Sequence, residues 1–414
     1  MKYLIKSLWI LGLSIFLLTS CSGFNYDRLV QEELYKRKEG KISKIFETKT
    51  KLELPLRTFG RDFAYIQFKP YTIGIYPIQN ETNAKSIPLT IQRIILTAGY
   101  KLISSPIAFS RLKLIDVNYL EDRYFLVAYK RGAIIPTSIT FSIEGSITEY
   151  DTIIESYNDF SGDITVGGGS TTTDAGVSFN KSEGITVLTL DLNFLNKKVN
   201  ALLPLGYSSN SLVLARKGKG NAFYLYLLGN GITLGRDIYV INSTSLGLRF
   251  LTEFSLIQLL GRIDTLPYWH CLRDRNVKDD LLIRYMREEW YKLSEERKML
   301  RFSKIAKLYF GYYIAKNLPD DIRGRVIFNP KTKEGKENTV RLMTLLRKFY
   351  KLDKTDFFNF NSYLYIWKKS PFCSYPYNKK LDIFLEKNVD INTFQISNKF
   401  DPVMETVLDW SNSR

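Results

Sequence analysis

Residues 153–179 read IIESYNDFSGDITVGGGSTTTDAGVSF, a pattern of two strands around a glycine-rich turn. From residue 154 to 166 the even positions include four apolar side chains and the odd ones three acidic side chains and a threonine, as in a β-strand whose two faces differ. The letters GGGS at 167–170 supply a tight turn, and the return arm to Phe179 keeps a polar row. The pattern predicts a long hairpin with one apolar and one acidic face.

A second segment of this kind spans residues 205–240 and reads LGYSSNSLVLARKGKGNAFYLYLLGNGITLGRDIYV. It predicts a pair of long strands around a basic turn that begins at Arg216. Membrane β-strands need about 9–11 residues with alternating faces, and the arms of both segments are long enough. A soluble hairpin with one solvated face shows the same alternation, so the pattern alone fits both.

The amino terminus predicts export and lipid attachment. Lys2 and Lys6 form a basic n-region, residues 8–18 form an apolar run, and Leu18-Thr19-Ser20-Cys21 ends in cysteine as a bacterial lipobox does. We expect residues 1–20 to be a signal peptide and Cys21 to be the lipidated first residue, with residues 21–50 as a tether. A plain secretory signal or an anchor helix is the alternative. Ser22 is not an inner-membrane retention aspartate, which leaves outer-membrane delivery open.

Charge and sulfur content narrow the function classes. The formal charge falls from +17 to +15 when Lys2 and Lys6 leave with the signal, so the mature chain is basic. An exported lipoprotein meets anionic lipid and cell-wall polymers first, and no nucleic-acid-binding motif is present, so we expect no nucleic acid partner. Export permits a disulfide between Cys271 and Cys373, although two buried thiols fit equally well. The single histidine, His270, excludes multi-histidine zinc sites, and we expect no metal or cofactor.

The order of periodicities predicts two folded parts with a boundary after Trp269. Residues 51–269 are predicted to be α+β, and residues 270–414 a mostly α extension. The predicted elements of the first part are strands at 63–77, 112–116, 139–148 and 184–196, a helix carrying Ile87, Ile91, Ile94, Ile95 and Ala98, and a helix carrying Leu246, Phe250, Phe254 and Ile257. In the extension, helical spacing marks 279–316 and 336–350. The stretch 123–131 is ambiguous.

By this order of elements the chain resembles the CsgG family, the outer-membrane lipoprotein channels of curli secretion. Residues 80–83 read NETN in place of the family's Asp-Glu-Thr-Gly turn, and residues 143–150 read IEGSITEY where the family has Val-Glu-Gly-Ser-Ile-x-x-Tyr. A hairpin follows, then a strand at 186–193, a second hairpin, and a late tryptophan at Trp269. The resemblance covers residues 63–269.

The resemblance implies a ring of identical subunits, nine in the family, each adding two hairpins to one transmembrane β-barrel above a periplasmic vestibule. A secreted polypeptide would cross without nucleotide hydrolysis, helped by accessory periplasmic proteins. The chain has no P-loop and no nucleophile elbow, so we expect no enzymatic activity. The acidic row of the first hairpin predicts the pore-lining residues, which are Glu155, Asp159, Asp163, Thr165 and Asp174.

Two departures from the family bear on the mechanism. The family narrows its pore with a long aromatic loop after the first strand, whereas residues 79–88 here are short and lack aromatic side chains. The local candidates for a constriction are Asn80, Glu81, Asn83 and Lys85, and an ordinary solvated turn is the alternative. The second departure is the extension 270–414, which either docks a partner or caps and stabilises the ring.

A rival function keeps the fold and omits the pore. Lipoprotein activators of cell-wall synthases have a similar periplasmic core on a tether and lack the two hairpins. The chain would then be a lipid-anchored binding module without a channel, and the state of the two hairpins distinguishes the functions.

Overall fold

The computed structural model describes residues 50–82, 91–117, 139–153, 160–166, 173–179, 185–216, 223–229, 232–241, 244–272, 278–317, 326–352, 356–374 and 378–389. Residues 50–414 form one compact unit. The signal peptide, Cys21, the tether and the ambiguous stretch 123–131 lie outside the described residues. No helix in the described ranges is long and apolar enough to cross a bilayer.

A seven-stranded mixed sheet forms the centre of the fold, in the order β2-β1-β3-β6-β7-β8-β9. Strand β1 pairs in parallel with β2 and β3, and every later pair is antiparallel. The strands are β1 Tyr71–Asn80, β2 Leu112–Asp116, β3 Phe141–Ile153, β6 Ile185–Asn196, β7 Ala201–Arg216, β8 Phe223–Gly229 and β9 Ile232–Ile241. The predicted mixed α and β character is therefore confirmed.

Strands β4 (Phe160–Val166) and β5 (Thr173–Phe179) form a separate two-stranded ribbon. They pair antiparallel from Phe160 opposite Phe179 to Val166 opposite Thr173. The pairing of the two arms of the first predicted hairpin is confirmed over these residues.

The second predicted hairpin is wrong in one respect, because it contains three strands rather than two. After β7 and β8, the chain turns again and continues as β9. Gly229 stands opposite Ile232 in the register, which leaves two residues for the turn. Those residues are Asn230-Gly231, the pair that two-residue hairpin turns favour.

Four helices accompany the sheet in the first part of the chain, α1 Glu53–Ile66, α2 Ile91–Leu102, α3 Pro106–Arg111 and α4 Thr244–Ile263. The start predicted for the first strand, Phe63, is wrong because residues 63–66 belong to α1. Leu56, Phe59, Phe63 and Ile66 are buried at a spacing of three and four residues, and this periodicity forms a helix. The buried Ile94, Ile95 and Ala98 confirm the apolar face predicted for α2.

Helices α5 Asp280–Trp290, α6 Glu295–Tyr309, α7 Lys333–Tyr350, α8 Phe360–Lys368 and α9 Lys379–Asn388 follow, which confirms the mostly helical character predicted for the extension. Asp279, Ser294, Thr332, Asn359 and Asn378 each accept a hydrogen bond from a backbone N–H of the first turn, so each helix has a side-chain cap. Buried residues of these helices and of the sheet belong to one continuous hydrophobic core.

Candidate functional site: the hairpin end of the sheet

Five strands of the sheet end or begin on one transverse row. Ile153 of β3 stands opposite Ile185 of β6, and Ile185 stands opposite Ala215 of β7. The row continues through Tyr224 of β8 to Val240 of β9. The strands that flank residues 154–184 and 217–222 therefore all reach this row, which we call the hairpin end.

The strands that form the hairpin end extend past the end of β1. Asn80, the last residue of β1, pairs with Ile147, six residues before Ile153 on β3. At about 3.3 Å per residue, β3 continues roughly 20 Å further. The constriction candidates Asn80 and Glu81 thus lie at the end of β1 that is nearer the hairpin end, but roughly 20 Å short of it.

The geometry around Asn80 is that of a turn. The Glu81 N–H donates to the Ile147 carbonyl at 3.0 Å, and the Asn80 side-chain oxygen accepts from the Thr82 N–H at 3.0 Å and from the Thr82 hydroxyl at 2.7 Å. Such an Asx turn is local backbone capping. Asn83 and Lys85 lie outside the described residues.

Three of the predicted pore-lining residues fall in the ribbon. Thr165 stands opposite Asp174, and Asp163 lies two positions before Thr165 on the same strand. Since a strand alternates faces every residue, the backbone register puts all three positions on one face. The other predicted positions, Glu155 and Asp159, lie outside the described residues.

The two hairpins differ in reach and charge. Arg216 stands opposite Phe223, so only the six residues 217–222 form the second turn, whereas 154–184 form the first excursion. The longer segment has five acidic residues and one lysine, and the shorter turn adds Lys217 and Lys219 next to Arg216. The acidic segment 154–184 connects β3 to β6, and the basic segment 217–222 connects β7 to β8. Both strand pairs reach the hairpin end.

Just below the row, the central strands are covered on both faces. Ser211, Leu212, Val213 and Leu214 are each 5% exposed or less. Because successive strand residues point to opposite faces, a single chain buries both sides of β7 here. Val187 and Leu188 of the neighbouring β6 are buried in the same way.

Helix α4 lies along β7 and is fixed to it by buried polar contacts. The Asn210 amide donates to the Ser255 hydroxyl and to the Gln258 carbonyl oxygen, each at 2.9 Å, and the Ser208 hydroxyl donates to Gln258 at 2.8 Å. Further along, the Arg262 guanidinium donates to the Tyr207 carbonyl at 3.2 Å. The helix therefore runs away from the hairpin end, with its last turn at the opposite end of the sheet.

At this opposite end, which we call the helix end, β1 and β3 begin and the extension packs. Asp264, after α4, accepts a hydrogen bond from Gln67, a 2.7 Å contact from the Lys304 ammonium and a 3.5 Å contact from the Tyr71 hydroxyl. Asp62 of α1 accepts from the Tyr312 hydroxyl at 2.7 Å. The Asp264 carboxylate thus joins β1, through Tyr71, to helix α6, through Lys304.

A buried ion pair joins α4 to the start of α5. The Asp279 carboxylate accepts from the Arg262 guanidinium and from the Tyr268 hydroxyl, each at 2.6 Å, and from the Leu282 N–H at 3.0 Å. Neither side chain of the pair is exposed. Burial, together with the Asp279 charge, raises the pKa of Tyr268 well above its ordinary value, so its hydroxyl stays a donor.

A disulfide closes the same region. Cys271 and Cys373 are bonded, with their Cα atoms 5.1 Å apart and a sequence separation of 102. The Cys373 N–H donates to Asp62 at 2.7 Å. The sequence was compatible with either a disulfide or two free thiols, and the structure contains the disulfide.

His270, beside the disulfide, lies inside the core. Burial lowers the pKa of its imidazole to about 4, so it is neutral at pH 7. Within the described ranges, no group of three His, Cys, Asp or Glu side chains is arranged to hold a metal ion.

The comparisons with known proteins give no family assignment. No family model and no curated protein match the chain. Lipoprotein GNA1162 from Neisseria meningitidis is a similar solved structure at 12% identity, covering 36% of this chain and 88% of its own, with a TM-score of 0.21. The PelC dodecamer from Paraburkholderia phytofirmans is similar at 11% identity, covering 46% and 88%, with the same TM-score. Scores of this size carry no argument about fold or function.

Proposed function

We propose that the protein is an outer-membrane lipoprotein whose copies assemble into a channel for exported polypeptides, as the resemblance to the CsgG family implies. The observation that carries the proposal is the shared row from Ile153 to Val240, at which the strands that flank both predicted hairpins lie side by side. A barrel built from several copies needs its strands to project from the same end of each subunit.

The polarity of the subunit supports the same function. The hairpins lie at one end of the sheet, and the contacts of Asp264, Asp279 and the disulfide lie at the other. A lipid-anchored subunit of this shape would direct its hairpins to the membrane and its helical end to the periplasm. The acidic face at Asp163, Thr165 and Asp174 would then line the pore.

The charges of the two hairpins suit contact between copies. In a ring, the first hairpin of one subunit would neighbour the second hairpin of the next. The acidic excursion 154–184 would then meet the basic turn with Lys217 and Lys219. Opposite charges at such a boundary favour one register between subunits.

A direct test images the full-length lipoprotein in detergent by negative stain and records its conductance in planar bilayers. We expect rings that conduct, and the images count the subunits, nine if the family's number holds. Replacing 154–184 by Asn-Gly should abolish conductance, because Ile153 and Ile185 are directly opposed and a two-residue turn joins them. Wild-type monomers without conductance, or unchanged conductance in the variant, would overturn the channel.

A second candidate, the lipid-anchored binding module without a pore, is favoured by one observation. Residues 211–214 are buried on both faces within one chain, whereas a membrane strand of a single subunit would leave its lipid face uncovered. In that case the protein would be monomeric, and replacing 154–184 would leave its oligomeric state unchanged.

Localisation is tested separately at Cys21. Cys21→Ser removes the predicted lipidation site, and we expect the protein to move from the outer-membrane fraction to the periplasmic one. Cys271→Ser is the matched cysteine control and should stay in the membrane fraction. Outer-membrane retention of Cys21→Ser at the wild-type level would contradict the lipid anchor.

A further inference from the structure

A cavity of about 400 Å³ lies at the helix end, away from the hairpins. Its walls are mainly apolar and come from α1, from the chain after α6 and from the segment before α7, as Tyr65, Phe310, Val326 and Phe328. Ligand pockets in proteins generally have volumes of about 300–1,000 Å³ and apolar walls with a few placed polar groups. The cavity thus has the size and lining of a small-molecule site.

The backbone beside the cavity departs from regular helix. Residues Phe310–Ile314, directly after α6, form a π-helical turn, a rare conformation that is frequent at functional sites. Gly311 within it faces Tyr65, and a Cβ atom at this position would stand 2.8 Å from the tyrosine ring. The glycine therefore allows the aromatic wall and the turn to approach closely.

One lysine on the wall has no carboxylate partner among the residues that the structure describes. The Lys307 ammonium lies 5.1 Å from the ring centres of both Tyr65 and Phe68 and donates to the Gln67 carbonyl at 3.4 Å. Burial, and to a smaller extent the positive charge of Arg111, lower the pKa of this ammonium to about 8. At pH 7 it is still mostly charged.

Two neighbouring lysines, by contrast, each have a carboxylate partner. Lys304, one turn earlier on α6, lies 2.7 Å from Asp264, and Lys316, which also lines the cavity, lies 2.6 Å from Asp382. Lys307 is thus a half-buried cation whose neighbours are two aromatic rings, one carbonyl and the cationic Arg111. An anion entering the cavity would supply the missing charge-assisted hydrogen bond.

We propose that this cavity binds an apolar molecule carrying one acidic group, a carboxylate or a phosphate, and that Lys307 receives the acidic group. The apolar part lies against Phe310, Val326 and Phe328. A medium-chain fatty acid and a short lipid phosphate share this chemistry. The proposal is independent of whether the hairpins form a channel.

The test titrates the full chain, in a neutral maltoside detergent, with decanoate, decyl phosphate, decanol and inorganic phosphate, using calorimetry. We expect one of the two anionic amphiphiles to bind about tenfold or more tightly than decanol. Tighter binding of decanoate identifies a fatty acid site, and tighter binding of decyl phosphate identifies a lipid phosphate site. Inorganic phosphate binding as tightly as either amphiphile would overturn the proposal.

Variants of the cavity separate its charge from its walls. Lys307→Met should reduce anion affinity about tenfold to the level of decanol while leaving decanol binding unchanged. Val326→Trp, which adds a large side chain to the lining of the cavity, should abolish both. Lys298→Met is the matched control, because Lys298 lies on the same helix and over the ring of Trp290 but not on the cavity. Wild-type affinity for decanoate in Lys307→Met would refute the role of the lysine.

A pH series adds a readout that simple packing would not change. Above pH 8 the wild-type lysine loses its proton, so decanoate affinity should fall, by about tenfold in total, towards that of Lys307→Met. Lys307→Arg keeps its charge throughout and should bind decanoate without this dependence. The same pH dependence in both proteins would overturn the assignment.

Discussion

The hairpin end and the helix end of the sheet are stabilised by different interactions. At the helix end, a disulfide, a fully buried ion pair and the shared carboxylate of Asp264 connect segments far apart in sequence. At the hairpin end, the strands are held by antiparallel pairing with neighbours that are close in sequence. Residues 154–184 connect Ile153 to Ile185, which are directly opposed. Long-range cross-links at one end and local pairing at the other predict that mutations will destabilise the protein unequally.

The largest expected effect is at the buried ion pair of the helix end. Asp279→Ala leaves the Arg262 guanidinium buried without its carboxylate and removes the cap of α5, so we expect a loss of about 3–5 kcal/mol in the free energy of unfolding. Chemical denaturation measures it. Lys292→Met, which breaks the exposed pair with Glu289, is the control and should cost under about 1 kcal/mol. Equal effects of the two variants would show that the buried pair does not stabilise the helix end more than an exposed pair does.

The disulfide gives the next largest effect. Replacing Cys271 and Cys373 by serine frees a loop of 102 residues in the unfolded chain, and we expect a loss of about 2–5 kcal/mol. Wild-type protein unfolded in dithiothreitol should show the same loss. If the reductant and the double variant leave the unfolding midpoint unchanged, the bond does not stabilise the helix end.

The difference between the ends also explains what the sequence could predict. Alternation and helical spacing are local, and they predicted β2, β6, α4 and, in the extension, α5, α6 and α7. They did not predict the partners of Asp264, Asp279 or Cys271, because contacts across long loops leave no mark in local periodicity. Helix α1 was missed because Ile66 and Phe68 continue an apparent alternation into β1, although the spacing of Leu56, Phe59 and Phe63 indicates a helix.

For the candidate site, the sequence predicted the alternation of side chains but not the register of the strands. The acidic alternation at Asp163 and Thr165 was visible, whereas the common row from Ile153 to Val240 follows only from pairing across five strands. The third strand, β9, had a signal in Asn230-Gly231. Lys307 had none, because its lack of a carboxylate partner among the described residues depends on tertiary contacts.

A substitution midway between the two ends should have an intermediate effect. Gly145, in the segment IEGSITEY, lies against β6, and a Cβ atom there would stand 2.1 Å from the Asp191 carbonyl oxygen. Gly145→Ala must therefore push β3 from β6, at a cost of about 1–3 kcal/mol. Gly74→Ala is the control, since its Cβ would meet only side chains, at 3.0 Å or more. The two variants should differ in unfolding midpoint, and equal midpoints would contradict a close approach of β3 and β6.

The smallest expected effect on stability comes from removing the first hairpin altogether. Replacing 154–184 by Asn-Gly joins Ile153 to Ile185 through a two-residue turn and touches no contact of Asp264, Asp279 or the disulfide. Shortening a loop lowers its closure entropy by about 0.6 kcal/mol per halving, so stability should be unchanged or rise by at most ~2 kcal/mol. Replacing 217–222 by Asn-Gly between Arg216 and Phe223 is the matched change in the second hairpin. A loss of more than about 1 kcal/mol in the first variant, measured by urea unfolding, would mean that the excursion packs on the core. Retained stability combined with lost conductance would instead separate the folding of the subunit, secured at the helix end, from the function proposed for the hairpin end.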